Sequence, residues 1–440
     1  MMARRPNVLF SMCDDQRHDW MGCAGHPFLS TPAMDRLARE GVHFVNAFTA
    51  VPLCAPSRAS HHTGLYPHAN GVFHNQADLF PAVSTWPELL QRAGYRTGFI
   101  GKMHYGGRSA PRPGFDRWVS FRGQGSYADP MLNVDGAEIP HLGYNTDILA
   151  DYAERFITEQ SERPWALCLW YKAPHGPFTP PPRYGERYAA VTLTQPPAFG
   201  ASTEGKTESL RRRRPMGHES DWSPDKPFVS GKTWDLFCRD YGRTLQAVDD
   251  ALGRALAAID RLGLADDTLV VHTSDHGYFH GEFGLADKRW MYDPSIRVPL
   301  LLRYPALVAN PGRREDGLVL SLDVPATLAD LTGIGVPATY QGRSLRPVLV
   351  GREGWTRDEV FCEYFEDPPF PQLPTMVCLR TRDRKLIHYL RPGETDEFYD
   401  LAADPEERRN VIDAAHYAAD VAALRVRLDD AMRRFAYRQP

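Results

Sequence analysis

The chain has 440 residues, of which 42% are hydrophobic and 24% charged, with a formal net charge of -4. That length exceeds one small core and predicts two domains or one large α/β domain with an appendage; the mild negative charge gives no general field to draw in nucleic acid or an anionic membrane. Seven cysteines in no regular framework argue against a disulfide scaffold, and no run of 18 apolar residues marks a membrane span.

Met1-Met2-Ala3-Arg4-Arg5-Pro6 leads straight into the apolar Asn7-Val8-Leu9-Phe10. No longer apolar region with a small-residue cleavage site intervenes, so no secretory signal is expected and the expected compartment is the cytoplasm. Residues 8–12 read as a buried strand ending at Cys13-Asp14-Asp15-Gln16. A buried run that stops at paired carboxylates fits a parallel strand with ligands at its C-terminal end. Thr31 then Pro32 predicts a helix start. Residues 42–48 read as a strand, 86–93 as a helix and 97–101 as a strand. Residues 147–157 and 234–262 have helical spacing. The apolar runs 165–170 and 268–272 end before Pro174-His175 and Ser274-Asp275-His276. This repetition of strand, polar cluster and helix predicts a mostly parallel α/β sheet.

Residues 177–232 are rich in Pro, Gly, Ser and charge and predict a long irregular excursion, a lid or a contact in a homo-oligomer. Its Arg211-Arg212-Arg213-Arg214 run lacks interleaved aromatics and reads as a solvated loop. Residues 360–364, 376–380 and 385–389 read as short strands and 421–435 as a closing helix. The predicted division is a catalytic domain over 1–358 and a smaller C-terminal α+β subdomain over 359–440.

A hard divalent cation needs several oxygen ligands. Asp14 and Asp15 sit at one strand end and Asp275-His276 at another. Singly, each pair reads equally well as a local turn or cap; together they point to a metal site. Cys54-Ala55-Pro56-Ser57-Arg58, running on to Thr63-Gly64, is the most specific string in the chain. A free cysteine is usually a small buried hydrophobe, but this segment resembles the maturation signature of type I sulfatases, members of the alkaline phosphatase superfamily. Nearly the whole chain follows that pattern.

The resemblance implies an alkaline-phosphatase-like fold, a large mostly parallel sheet sandwiched by helices. It also implies a partner enzyme that oxidises Cys54 to formylglycine, whose hydrated aldehyde supplies the nucleophile. Asp14, Asp15, Cys54, Asp275 and His276 would hold one divalent cation, Ca²⁺ first, with Mg²⁺ and Mn²⁺ open because His276 departs from the commoner asparagine. Lys102 and Lys288 would bind the sulfate, and Arg58 would hold the sulfate and the formylglycine hydroxyl region. His104 would take a proton from the hemiacetal and His175 would protonate the leaving oxygen. Taken alone, the lysines read as surface charges and the histidines as structural.

His74, Asn75 and Tyr105 follow catalytic segments and are expected to line the substrate pocket. Phe121-Arg122-Gly123-Gln124-Gly125-Ser126-Tyr127 resembles a segment of bacterial carbohydrate sulfatases, and Gly101-Lys102-Met103-His104 is also close to choline sulfatases. The expected activity is hydrolysis of a sulfate monoester, carried by a sugar or another small molecule. The alternative on the same scaffold is a phosphonate monoester or phosphodiester hydrolase, against which Lys102 and His104 speak; a non-catalytic binding protein comes third.

Overall fold

The computed structural model describes residues 5–159, 162–212, 227–352 and 355–440. Its centre is a ten-stranded sheet. The strand order is Arg313–Glu315, Val42–Phe44, Leu300–Arg303, Thr268–Ser274, Asn7–Cys13, Trp165–Trp170, Arg96–Gly101, Arg117–Ser120, Met131–Val134 and Ala137–Pro140. The strands from Thr268–Ser274 through Arg117–Ser120 run parallel to one another. Asn7–Cys13, Trp165–Trp170 and Thr268–Ser274 are buried at every position. Being covered on both faces, they carry the continuous apolar runs seen in the sequence.

The period-two alternation divides those runs between two cores. Leu9 and Cys13 pack with residues of the helices Asn145–Thr158 and Trp234–Arg261. Val8, Phe10 and Met12 pack with Ala55, Ala59, Trp86 and Leu90 on the other face. The helix Pro32–Glu40 begins where Thr31-Pro32 predicts, but the Thr31 hydroxyl does not cap it. That hydroxyl donates to Asp35 (3.0 Å), and the Ala33 and Met34 amides instead donate to Asp249 of the long helix (3.1 and 2.9 Å). The predicted strand over 42–48 is two strands in two sheets: Val42–Phe44 in the large one and Ala47–Phe48 in a three-stranded one.

Among the described residues the stretch 177–232 is irregular apart from short turns of helix at Pro182–Tyr184 and Glu208–Arg211. Arg211 and Arg212 pair with Glu208, while Arg213 and Arg214 lie outside the described residues. The excursion is pinned through Lys206. Its Nζ donates to the Tyr399 hydroxyl and the Glu407 carbonyl, both 2.7 Å away, and faces the rings of Phe283, Tyr292 and Tyr399 at 4.1, 4.5 and 4.7 Å. Replacing Lys206 with alanine leaves those acceptors and rings without a cation. We expect a loss of about 2–4 kcal/mol in urea unfolding, the sum of buried hydrogen bonds to a charged donor and desolvated cation–π contacts.

The C-terminal region forms a four-stranded antiparallel sheet, Val360–Tyr364, Met376–Arg380, Arg384–Tyr389 and Glu397–Asp400. The fourth strand is missing from the sequence reading because its four residues carry a charge at each end. The helix Ala418–Arg434 lays Val421, Leu424, Leu428 and Ala431 into a core that also takes in Phe48, Leu53, Tyr66, Phe279 and Met291 from earlier segments. The small sheet therefore shares its core with the larger part of the chain.

His68 ties the same parts together. Its Nδ1 lies 2.7 Å from Glu363 Oε2 and its Nε2 2.8 Å from the Phe435 carbonyl, so both ring nitrogens face acceptors and the doubly protonated ring fits. Burial lowers His68, and Arg438 adds to that, but the Glu363 bond outweighs both and raises it above 6.5; Glu363 is itself raised, chiefly by burial. Both groups bind protons more tightly folded than unfolded, so their stabilisation is full at low pH and fades as pH rises through the folded values. The stability difference between wild type and His68→Gln, read by denaturant unfolding, should shrink as pH is raised from about 6.5 into the alkaline range. A difference constant over that interval would contradict the assignment.

Candidate active site

Four neighbouring parallel strands deliver the site at their C-terminal ends. Asp14 and Asp15 follow Asn7–Cys13, Lys102 and His104 follow Arg96–Gly101, His175 comes five residues after Trp165–Trp170, and Asp275 and His276 follow Thr268–Ser274. Gly101 has no alternative at its position. Its φ is 126° and a Cβ there would sit 1.7 Å from the Trp170 carbonyl oxygen, to which the Lys102 amide donates at 2.7 Å. Asp15 (φ 67°) and His104 (φ 75°) adopt left-handed backbone although neither is glycine. Such strain persists where surroundings over-determine it, as in a packed site.

Cys54 is the first residue of the helix Cys54–Thr63, every residue of which is buried. Its Sγ, which stands where the oxygens of a formylglycine would be, lies 3.6 Å from Asp14 Oδ1 and 3.3 Å from His276 Nε2. Burial pushes the thiol up and Asp14 adds to that, yet Lys288, Lys102 and His276 outweigh them and bring it down to about 6. The site favours a negative charge at this position.

Ligand atoms of Asp14, Cys54, Asp275 and His276 all lie within 4.8 Å of one another, and those of Asp14, Asp15 and His175 form a second such group. Asp15 Oδ2 is buried and accepts no hydrogen bond, and burial first of all pushes the Asp15 carboxyl up to about 7. A buried carboxylate oxygen without a partner is what a cation satisfies. His276 Nδ1 lies 3.0 Å from the Gly277 carbonyl, so its proton belongs there and Nε2 faces the cluster as a ligand would. Burial lowers His276, but Asp275 and Cys54 outweigh it and raise it to about 9, so a cation taken up at Nε2 would displace a proton there. These residues fit a divalent cation.

Arg58 is fully buried beside them. Its Nε donates to Asp275 Oδ2 (2.9 Å), Nη2 to Asp14 Oδ2 (3.0 Å) and Nη1 to the Lys102 carbonyl (2.6 Å), with Nη2 also 3.3 Å from the Tyr171 carbonyl. Nη1 keeps a second hydrogen for the sulfate contact expected of Arg58. Each of its three nitrogens already donates to a protein oxygen, and the guanidinium ties four strand ends together.

Lys102 Nζ pairs with Asp14, and Lys288 Nζ with Asp15 Oδ1 at 2.8 Å. His104 is 6% exposed and its Nδ1 has no hydrogen-bond partner; burial first, then Lys102, hold it well below 6.5. The His175 side chain is 18% exposed, with Nε2 3.9 Å from Asp15 Oδ2, and burial followed by Lys288 and Lys102 lowers it likewise.

The three residues expected to line the pocket part company. Tyr105 is a correction: it is 1% exposed, its hydroxyl bonds His62 Nδ1 at 2.9 Å and its ring lies under Arg112, so it belongs to the core beneath the site. Asn75 accepts the Ala55 amide through Oδ1 (3.1 Å) and so caps the helix that carries Cys54. His74 is half-buried and its Nδ1 lies 3.1 Å from Gln76 Oε1.

The sequence reading missed Lys172, buried over the Tyr127 ring at 4.8 Å and lowered to about 8 by burial first and Lys102 second. It also missed Tyr241, whose hydroxyl donates to the Asp15 carbonyl at 2.6 Å. Lys172 directly precedes the Ala173-Pro174-His175 motif, which could have flagged it. Tyr241 sits mid-helix, 226 residues from its partner, with no local signal.

The family model for sulfatases matches residues 6–334, from the first strand to beyond Lys288. The chain belongs to the sulfatase family. A second model, N-sulphoglucosamine sulphohydrolase C-terminal, matches residues 281–434. The N-acetylglucosamine-6-O-sulfatase of Bacteroides thetaiotaomicron is 32% identical over 100% of this chain and 88% of its own. The human N-acetylglucosamine-6-sulfatase is 29% identical, over 93% of this chain and 81% of its own. A solved structure in complex with its substrate D-glucosamine-2-N,6-O-disulfate superposes with a TM-score of 0.90 at 31% identity, covering 98% of each chain. The phosphonate monoester hydrolase of Agrobacterium radiobacter shares the fold, with a TM-score of 0.81 at 24% identity over 98% of this chain and 96% of its own. The sulfatase is thus a sulfuric ester hydrolase with an alkaline-phosphatase-like fold, and among the described residues no helix is long and apolar enough to cross a membrane.

Proposed function

We propose that this sulfatase removes the 6-O-sulfate of a glucosamine-type sugar, using formylglycine formed from Cys54 by a maturation enzyme and one divalent cation. The observation that carries the reading is Cys54 at a buried helix start, within 3.6 Å of Asp14 and 3.3 Å of His276 and under the influence of Lys102 and Lys288. Asp14, Asp15, Asp275 and His276 would hold the cation. Three carboxylates suit Ca²⁺, and the imidazole nitrogen also admits Mg²⁺ or Mn²⁺. When bound, the cation supplies Lewis-acid stabilisation of developing negative charge; formylglycine supplies a second hydroxyl where serine has one.

The chain's own groups do the rest. A sulfate ester is an anion, and Lys102 and Lys288 supply positive charge at its oxygens. His104, neutral and with Nδ1 unengaged, is a base for the hydroxyl at position 54. His175 faces the more open side of the site. A sulfate lodged between Lys102 and Lys288 would offset the positive charge that lowers His175, so substrate binding favours the protonated form that a poor alcohol leaving group needs. All seven cysteines are free, which suits the reducing cytoplasm expected for the chain.

The sugar assignment is supported by the two N-acetylglucosamine sulfatases and the bound disulfated glucosamine described above. The test is sulfate release from glucosamine-6-sulfate, N-acetylglucosamine-6-sulfate, choline sulfate and an aryl sulfate. It requires protein in which mass spectrometry finds Cys54 about 18 Da lighter, the mass change of the aldehyde. A phosphonate monoester and a phosphodiester run alongside. Preference for choline sulfate would overturn the sugar assignment, and preference for the phosphonate would overturn the sulfate-ester reading.

A further inference from the structure

We propose that Gln124 is a positioning residue for Lys102, and that the loop carrying it clasps both sides of the sulfate site. The Lys102 ammonium is wholly buried and meets two oxygens, Asp14 Oδ2 and Gln124 Oε1, the latter at 2.5 Å. An ammonium has three donors and no acceptor. Asp14 is at the same time a partner of Arg58 and a candidate cation ligand. The ammonium already pairs closely with Asp14; with Asp14 as its sole partner it would rotate about that one contact, and its other donors would not be held towards the sulfate. Gln124 holds the ammonium from the other side and leaves one donor for the substrate.

The residue type matters as much as the contact. A glutamine oxygen accepts the bond without adding charge, so the positive field at the sulfate is preserved. A glutamate would bring another carboxylate beside Lys102 and repel the anion.

Other bonds fix the loop to the strand ends it serves. Ser120 Oγ donates to the Gly101 carbonyl at 2.8 Å, directly before Lys102. The Tyr127 hydroxyl donates to the His175 carbonyl at 2.5 Å, and the Tyr127 ring lies under Lys172, whose Nζ donates to the Gly176 carbonyl at 3.0 Å. The loop and the end of the strand Arg117–Ser120 that leads into it therefore touch the backbone before the sulfate-binding lysine, the lysine's own ammonium, and the segment of the leaving-group histidine.

This inference rests on the reading of Lys102 as a sulfate-holding cation. The experiment compares Gln124→Met, Gln124→Glu, Lys102→Met and the double variant Lys102→Met/Gln124→Met. It measures kcat/KM on an activated aryl sulfate at enzyme concentrations that keep Lys102→Met measurable, the inhibition constant of inorganic sulfate, and the melting temperature. Gln124→Met should lower kcat/KM and weaken sulfate inhibition by about tenfold or more with little change in melting. Gln124→Glu, which keeps shape and acceptor, should weaken sulfate inhibition as well; a purely structural glutamine would tolerate it. In the Lys102→Met background the second change should add less than about twofold, because the group it positions is gone. Multiplicative losses in the double variant, or a Gln124→Met protein indistinguishable from wild type, would overturn the positioning role. Full activity in Lys102→Met would instead overturn the reading beneath it. Should Gln124→Met fail to fold, Gln124→Glu and its sulfate inhibition constant decide alone.

Discussion

Cys54→Ser is expected to abolish multiple turnover, with kcat/KM falling by about 10⁴ or more, the scale seen when a nucleophile that works as one unit with its neighbours is lost. Serine keeps a polar atom at the start of the buried helix, where sulfur now lies 3.3 Å from His276 Nε2, so the site's shape survives. What it lacks is the second hydroxyl on the same carbon. A sulfated serine has no internal route to expel sulfate, so that adduct should accumulate and be visible as a mass increase on the peptide containing position 54. The cost to stability should be within about 1 kcal/mol, since the replacement is nearly isosteric and two polar partners, Asp14 and His276, are already in place. Sustained release of sulfate by Cys54→Ser, measured by ion chromatography over many turnovers, would remove formylglycine from the mechanism.

Arg58→Lys should be nearly as damaging, for a different reason. The guanidinium presents donors in a fixed planar fork, and here they reach Asp14, Asp275 and the carbonyls of Lys102 and Tyr171 at once. A lysine is one compact charge and cannot span those four acceptors. Its substitution leaves buried carboxylates imperfectly compensated, which costs about 3–5 kcal/mol when one partner of a buried pair is lost. It also loosens Asp14 and Asp275, two of the proposed cation ligands. The expected outcome is a drop of about 10³-fold in kcat/KM together with weaker metal retention, read by calcium titration of chelator-treated protein. A variant that binds calcium as wild type does would show that Arg58 does not organise the carboxylates.

Much of the fold was legible in the chain because its central strands are buried on both faces. Continuous apolar runs stopping at Asp14-Asp15 or Asp275-His276 announce a strand and a site in one signal. The Cys54 string is equally local, since the proposed maturation enzyme would read it before folding. Other features have no such signature. Residues 42–48 are mostly apolar, yet the chain turns at Val45 and Asn46 and joins two sheets, which hydrophobicity does not encode. Tyr105 has the sequence position of a pocket residue, but its hydroxyl meets His62 in the core. Asn75 caps a helix that starts 21 residues before it.

The sequence by itself determined the α/β class, the cysteine proposed for oxidation and the set of acids, lysines and histidines that surround it. These depend on residue type and short-range spacing, which a linear chain carries in full. Only the tertiary structure decided how the set is held: Arg58 binding Asp14 to Asp275 across the 260 residues of chain between those two, Gln124 gripping Lys102 from another loop, and a C-terminal sheet completing a core begun by Phe48 and Leu53. Such contacts form when separate strand ends converge on one edge of a sheet. Their geometry is set by packing, and nothing in the local spacing of the partners records it.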